Sequence, residues 1–221
     1  MAAPLRLAHR GDHRRAPENT LAAFDAALAV EGCDGIEFDV RAARDGTPIV
    51  LHDATLVRVQ GRPTRAADLD PATLAALGVP TLAEVLARVP ATAFLDVELK
   101  DDVAAAVVAQ LRHARGPAPG RAAVSSFEPA VLAHVRALEP GWRCWLNADD
   151  LEARTLELAR DLGCTGIAAR WTAIDPAGAE RARLLGLDLV AWTVRRRRDL
   201  VHLAALGVFA ACVEGAALES A

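Results

Sequence analysis

Short runs of strand-forming apolar residues alternate with stretches of helical periodicity from one end of this chain to the other. Few architectures accommodate that rhythm, because a strand, a helix-long crossover and another strand pair in parallel within one sheet. The first unit predicts a strand over 5–9, a polar loop and a helix over 20–30. Leu21, Phe24 and Leu28 recur on one face of that helix, with Asn19 placed as its N-cap and Glu31-Gly32 closing it. Regular alternation holds again beyond residue 80. Helices are expected over 82–88, 103–115, 129–138, 151–162, 176–185 and 198–206, and strands over 94–99, 122–127, 143–147, 166–170, 187–194 and 209–213.

The second strand, over 35–41, breaks the pattern. Only residues 42–47 separate it from the apolar run 48–52, which leaves no room for a crossover helix, so the pair reads as a β-hairpin turning at Asp45-Gly46. Counting back from that turn sets His52 opposite Asp39. Residues 53–79 carry Gly61, Pro63 and Pro71 and read as an irregular excursion over the mouth, with a short helix near 71–77. Setting aside the second hairpin arm leaves eight strands. In a chain of 221 residues that predicts an α/β fold, a somewhat irregular (β/α)8 TIM barrel, with a doubly wound open sheet as the alternative. A single domain over 1–221 is expected, with its short insertion at about 53–79.

Charge narrows the partners. The net charge of −4 offers no general attraction to nucleic acid or to anionic lipid, so any anion must be bound locally. No apolar run approaches the roughly 18 residues of a membrane span, and the N-terminus lacks a basic segment followed by an apolar run, so a cytoplasmic protein is expected. Cys33, Cys144, Cys164 and Cys212 show no C-x-x-C spacing and read as reduced, mostly buried thiols. Nothing in the sequence sets an oligomeric state. The densest charge cluster, Arg195 to Arg198, reads as a solvated loop and helix start, with an anion site as the rival reading.

Chemistry concentrates at the strand ends, where a barrel of this kind builds its site. His9 and Arg10 end the first strand, Glu37 and Asp39 lie late in the second, and Glu98 and Lys100 end the strand over 94–99. Glu37 and Asp39 are two positions apart and point to the same side. Two carboxylates so placed repel unless a cation or a proton is shared. With Glu98 they make an all-oxygen set suited to Mg²⁺ or Ca²⁺ rather than to zinc. His9 and His52 beside them have the residue type for a general base and a general acid, and Arg10 and Lys100 supply positive charge for a phosphate.

The motifs HRG, PENT, IEFD, the run Gly46 to Asp53 and VELK, in this order and spacing, closely resemble those of the glycerophosphodiester phosphodiesterases, and the similarity extends through PTLAEVL, VSSF and AWTV. The resemblance implies a TIM barrel that uses a divalent cation to hydrolyse a small-molecule phosphodiester to glycerol 3-phosphate and an alcohol. Transferred residue by residue, it implies Glu37, Asp39 and Glu98 as metal ligands, His9 and His52 as the acid/base pair, and Arg10 and Lys100 on phosphate. Phe127 and Trp192 would form the apolar side of the glycerol pocket, and Glu18 would stand behind Arg10 or His9. Three departures bear on substrate range: the segment after His52 is short and polar, Arg195 replaces the asparagine common after Trp-Thr-Val, and the last strand ends Cys212-Val213-Glu214 where the family resembles D-G-I-x-T-D. The alternatives are a related barrel acting on lysophospholipids and a catalytically silent barrel that binds phosphorylated ligands.

Overall fold

The computed structural model describes residues 3–219. Strands β1 (Leu5–His9), β2 (Gly35–Ala42), β3 (Pro48–Val50), β4 (Phe94–Leu99), β5 (Ala122–Ser126), β6 (Cys144–Ala148), β7 (Gly166–Arg170), β8 (Asp188–Val194) and β9 (Ala210–Val213) form one sheet. Its order is β1-β9-β8-β7-β6-β5-β4-β2-β3, and β1 also pairs with β2 in parallel. That last pairing closes eight parallel strands into a barrel and leaves β3 outside, antiparallel to β2. The open-sheet alternative is thereby excluded. Helices α1 (Leu21–Leu28), α2 (Val57–Gln60), α3 (Pro71–Ala76), α4 (Leu82–Arg88), α5 (Ala104–Arg115), α6 (Pro129–Leu138), α7 (Ala153–Asp161), α8 (Pro176–Leu184) and α9 (Arg197–Ala205) fill the connections.

Alternation along each strand divides the residues between two cores. Ile36, Phe38, Val40, Leu95, Val97 and Leu99 face outward into the layer between sheet and helices. The opposite parity faces the lumen, where Leu7, Phe94, Trp145, Val190 and Ala210 pack into an apolar plug. Phe94 stacks on Trp145 with ring centroids 5.8 Å apart, and each such burial stabilises by ~1.5–3 kcal/mol. Gly35 is required at the foot of β2, since a Cβ there would lie 2.0 Å from the Phe94 carbonyl oxygen. Further up the same inward rows stand Glu37, Asp39, Asp96, Glu98 and Ser125, buried in the lumen.

Local signals set the helix starts. Thr81 and Glu84 exchange hydrogen bonds in a capping box on α4, while Asp70 before Pro71 and Asp175 before Pro176 cap α3 and α8. At α1 the cap is Thr20, whose hydroxyl accepts from the Ala23 N–H, and not Asn19 as expected. Asn19 instead adopts φ 58° and turns its amide inward. The hairpin turn is at Asp45-Gly46, with Gly46 at φ 85°. Its register differs from the expectation by one residue: β3 ends at Val50, and the Leu51 N–H donates to the Asp39 carbonyl, so His52 lies past the strand rather than opposite Asp39. Residues 53–79 fold over their own apolar cluster of Leu56, Ala66, Leu74 and Val79 against Ile49 and Leu51 of the hairpin.

Candidate active site

The C-terminal ends of the strands surround a cavity of about 450 Å³. His9, Arg10, Glu18, Glu37, His52, Glu98, Lys100, Phe127 and Trp192 all line it, and Asp39 lies buried just behind. Every residue singled out from the sequence is thus brought to one mouth. Strand parity brings several of them there: Glu37 and Asp39 rise on β2, Glu98 on β4 with Lys100 just past its end, and Trp192 on β8, whereas Arg10, Glu18, His52 and Phe127 come from the loops that follow strands.

One oxygen from each of Glu37, Asp39 and Glu98 lies within 4.8 Å of the others. Glu37 Oε1 is buried without a hydrogen bond, and Asp39 Oδ1 also lacks one, its neighbour being the Lys100 ammonium at 3.2 Å. Burial, then Asp39 and Glu98, push the Glu37 carboxyl well above the usual range. Burial also raises Glu98, with Asp39 adding to it and Lys100 opposing it. Asp39 goes the other way: burial works against its charge, but Arg10, Lys100 and His52 hold its carboxyl below the ordinary value. Arg10 Nε stands 3.1 Å from Asp39 Oδ2 as an ion pair, and that oxygen accepts a hydrogen bond from Asn19 Nδ2 at 2.9 Å. Three clustered carboxylates, two of them with a buried oxygen that lacks a hydrogen bond, fit a hard divalent cation bound through oxygen.

Each histidine is held at one ring nitrogen. His9 Nδ1 and Glu214 Oε1 are 2.6 Å apart, and His52 Nδ1 and Asp53 Oδ1 are likewise 2.6 Å apart. A carboxylate at Nδ1 keeps the proton there and leaves Nε2 as the atom that exchanges protons. His9 Nε2 lies 3.8 Å from Glu37 Oε2. Burial lowers the His9 pKa, against the pull of Glu214. Glu214 itself falls to about 2, because hydrogen bonding and charge from His9, with Arg195 added, outweigh its burial. Asp53 also falls to about 2, through its hydrogen bond from Arg58 and then from His52.

On the opposite wall Phe127 meets Trp192 edge to face at 5.6 Å between centroids, and Lys100 Nζ stands 5.6 Å from the Phe127 ring. Trp192 Nε1 donates to the Ala168 carbonyl, which fixes the indole. Glu18 Oε1 accepts from Arg10 Nη1 at 3.0 Å, so of its two expected neighbours Arg10 is the one it holds.

Several residues at the mouth are ones that sequence reasoning misses. Glu214 is two positions beyond the inward Cys212, so the parity that singles out Glu37 and Asp39 also points to it. Asp53 simply follows His52. Arg195 Nε donates to Glu214 Oε2 at 2.8 Å, so this arginine of the charge cluster braces the carboxylate that holds His9. Arg58 comes from an irregular segment whose path no periodic pattern describes.

A sequence profile described as the glycerophosphoryl diester phosphodiesterase family matches residues 9–215. The chain belongs to this family. It is 27% identical to the glycerophosphodiester phosphodiesterase of Caldanaerobacter subterraneus subsp. tengcongensis, over 91% of this chain and 90% of that protein. Among solved structures it is similar to the glycerophosphodiester phosphodiesterase of Thermotoga maritima, with a TM-score of 0.82 and 23% identity, covering 96% of this chain and 95% of the other. It is equally similar in fold to an Oleispira antarctica phosphodiesterase in complex with the product sn-glycerol-3-phosphate, at TM-score 0.83 and 24% identity over 96% and 93% of the two chains. Phosphodiesterase family and barrel therefore agree. Among the described residues no helix is long and apolar enough to cross a membrane.

Proposed function

We propose that this chain, acting as a single catalytic domain, hydrolyses glycerophosphodiesters to glycerol 3-phosphate and an alcohol by metal-dependent histidine acid/base catalysis. The observation that carries the reading is the Glu37, Asp39, Glu98 cluster, with its oxygens within 4.8 Å of one another, flanked by two histidines each anchored at Nδ1. Glu37, Asp39 and Glu98 would hold Mg²⁺ or Ca²⁺, which when bound would neutralise charge on the phosphate. Arg10 and Lys100 add fixed positive charge on either side of Asp39 and hold the remaining phosphate oxygens. Phe127 and Trp192 pack against the carbon face of glycerol and keep water from that side. One histidine takes the proton of the nucleophile at Nε2, and the other gives a proton from Nε2 to the leaving alcohol.

A lysophospholipid would need an apolar groove for its acyl chain. The cavity lining includes the polar His13, Glu18, Arg195 and Glu214 instead, which favours the small, polar glycerophosphodiesters. A panel of glycerophosphocholine, glycerophosphoethanolamine, glycerophosphoglycerol and a lysophospholipid, assayed with and without a chelator, tests the reading. Cation-dependent release of glycerol 3-phosphate supports it. Absence of turnover on every diester with cation present would leave a ligand-binding barrel in its place.

A further inference from the structure

The segment after β3 carries a residue joined to both sides of the mouth. Helix α2 has only four residues and none of them is buried, so apolar packing does not hold it. Its Arg58 is held by charge instead. Arg58 Nε donates to Asp53 Oδ2 at 2.6 Å, while its two terminal nitrogens donate to Glu18 Oε2 and Oε1 at 2.7 and 2.8 Å. The other oxygen of Asp53 takes the His52 Nδ1 contact at 2.6 Å. We propose that Arg58 is a positioning residue for His52, acting through Asp53.

A carboxylate beside a ring nitrogen orients that ring only if the carboxylate cannot rotate, and Asp53, on an irregular stretch, has no strand to fix it. Arg58 supplies the missing constraint at Oδ2 and is braced from behind by the fork to Glu18, which Arg10 also holds. Exposed ion pairs taken singly do little, but this guanidinium closes a chain of four side chains. Lysine cannot replace it, because one ammonium would have to reach three oxygens that the planar fork meets in fixed directions.

This rests on the acid/base reading of His52, and the experiment separates the two. Kinetics of Arg58→Ala, Arg58→Lys, Asp53→Asn and the Arg58→Ala/Asp53→Asn pair on glycerophosphocholine form a double-mutant cycle, with melting curves to check folding. Arg58→Ala should lower kcat about tenfold, the scale of a modest misplacement of a reacting group, with KM within about twofold. Arg58→Lys should not rescue it, and Arg58→Ala should cost nothing further once Asp53 is Asn. Nitrogen-15 spectra of the His52 ring give a readout independent of turnover: the proton should sit on Nδ1 in the native protein and distribute over both nitrogens in Arg58→Ala. Losses that add in the double variant, a change confined to KM, or an unchanged His52 tautomer overturn the proposal. If His52→Ala keeps native turnover, the acid/base reading falls with it; if His52→Ala is inactive and the cycle is additive, only the role of Arg58 is wrong.

Discussion

Lys100 is the only lysine in a chain whose other basic side chains of this type are all arginine. Its ammonium pairs with Glu98, stands 3.2 Å from Asp39 Oδ1 and lies 5.6 Å from the Phe127 centroid. A compact charge meets all three. A guanidinium is wider and planar, and it would draw Glu98 into a bidentate pair away from the carboxylate cluster. Lys100→Arg should therefore lower kcat/KM at least about tenfold, roughly 1.4 kcal/mol, despite the retained charge, which steady-state kinetics on a protein with native melting behaviour will read. His9→Ala and His52→Ala should each lower kcat by about 10² or more with the fold intact. A near-native rate in either variant removes that histidine from the mechanism. Strand parity makes side-chain direction legible in the sequence, and for that reason Glu37, Asp39, Glu98 and Lys100 can be placed together from their spacing alone. Asn19 cannot. Its residue type suits a cap, but its side chain donates to buried Asp39, and only the three-dimensional path of the loop decides between those uses.

Helix α4 shows how an element outside the site sustains it. Its capping box at Thr81 and Glu84 satisfies N–H groups at the helix start, and Thr81 also bridges to Ile49 of the hairpin. Thr81→Ala removes that cap far from the cavity. It should cost about 1 kcal/mol and lower the Tm by about 2–4 °C while leaving kcat unchanged, as a melting curve and an assay on the same sample will show. Elements with strong periodicity are legible almost to the residue: α4, β4, α6 and β7 begin and end where the pattern does. The hairpin is legible too, because six residues cannot hold a crossover. Its register is not, since the backbone hydrogen bonds of the turn, Ala43 N–H to the Thr47 carbonyl and Gly46 N–H to the Ala43 carbonyl, set Val40 against Val50 and so shift the pairing by one residue from a count along the sequence. The segment after it has no period to read, and so Arg58 stays hidden.

The whole barrel sorts its lumen into an apolar plug below and four carboxyl side chains above, Glu37, Asp39, Asp96 and Glu98, all buried. Alternating strands and helices make eight strands countable, whereas closure depends on β1 finding β9 across almost the entire chain, for which no local signal exists. The lumen's composition predicts how the molecule responds to pH and cation together. Burial, with Glu98 adding to it and the Ser125 hydroxyl opposing it, raises the Asp96 pKa to about 7, and Glu37 and Glu98 are also raised. A carboxyl whose folded pKa exceeds its unfolded value, about 4, adds stability below pH 4 and loses it as pH rises through the folded pKa. Without cation, then, the Tm should fall as pH rises from about 5 to 8. Asp53 and Glu214 do not mask this, because both have pKa values near 2 and their contribution is already complete above about pH 5, and His9, which burial lowers, opposes the fall below about pH 6.5 as one group against three. A cation bound to Glu37, Asp39 and Glu98 favours the ionised lumen and binds only the folded state, so excess Mg²⁺ or Ca²⁺ should raise the Tm, more at pH 8 than at pH 5. Glu37→Gln should abolish most of that rise. Melting curves in chelator and in each cation across this range check both points without any assay of turnover: a Tm indifferent to cation at pH 8 would show that the cluster is not a metal site, and one that climbs with pH in chelator would show that its carboxyls are not strained.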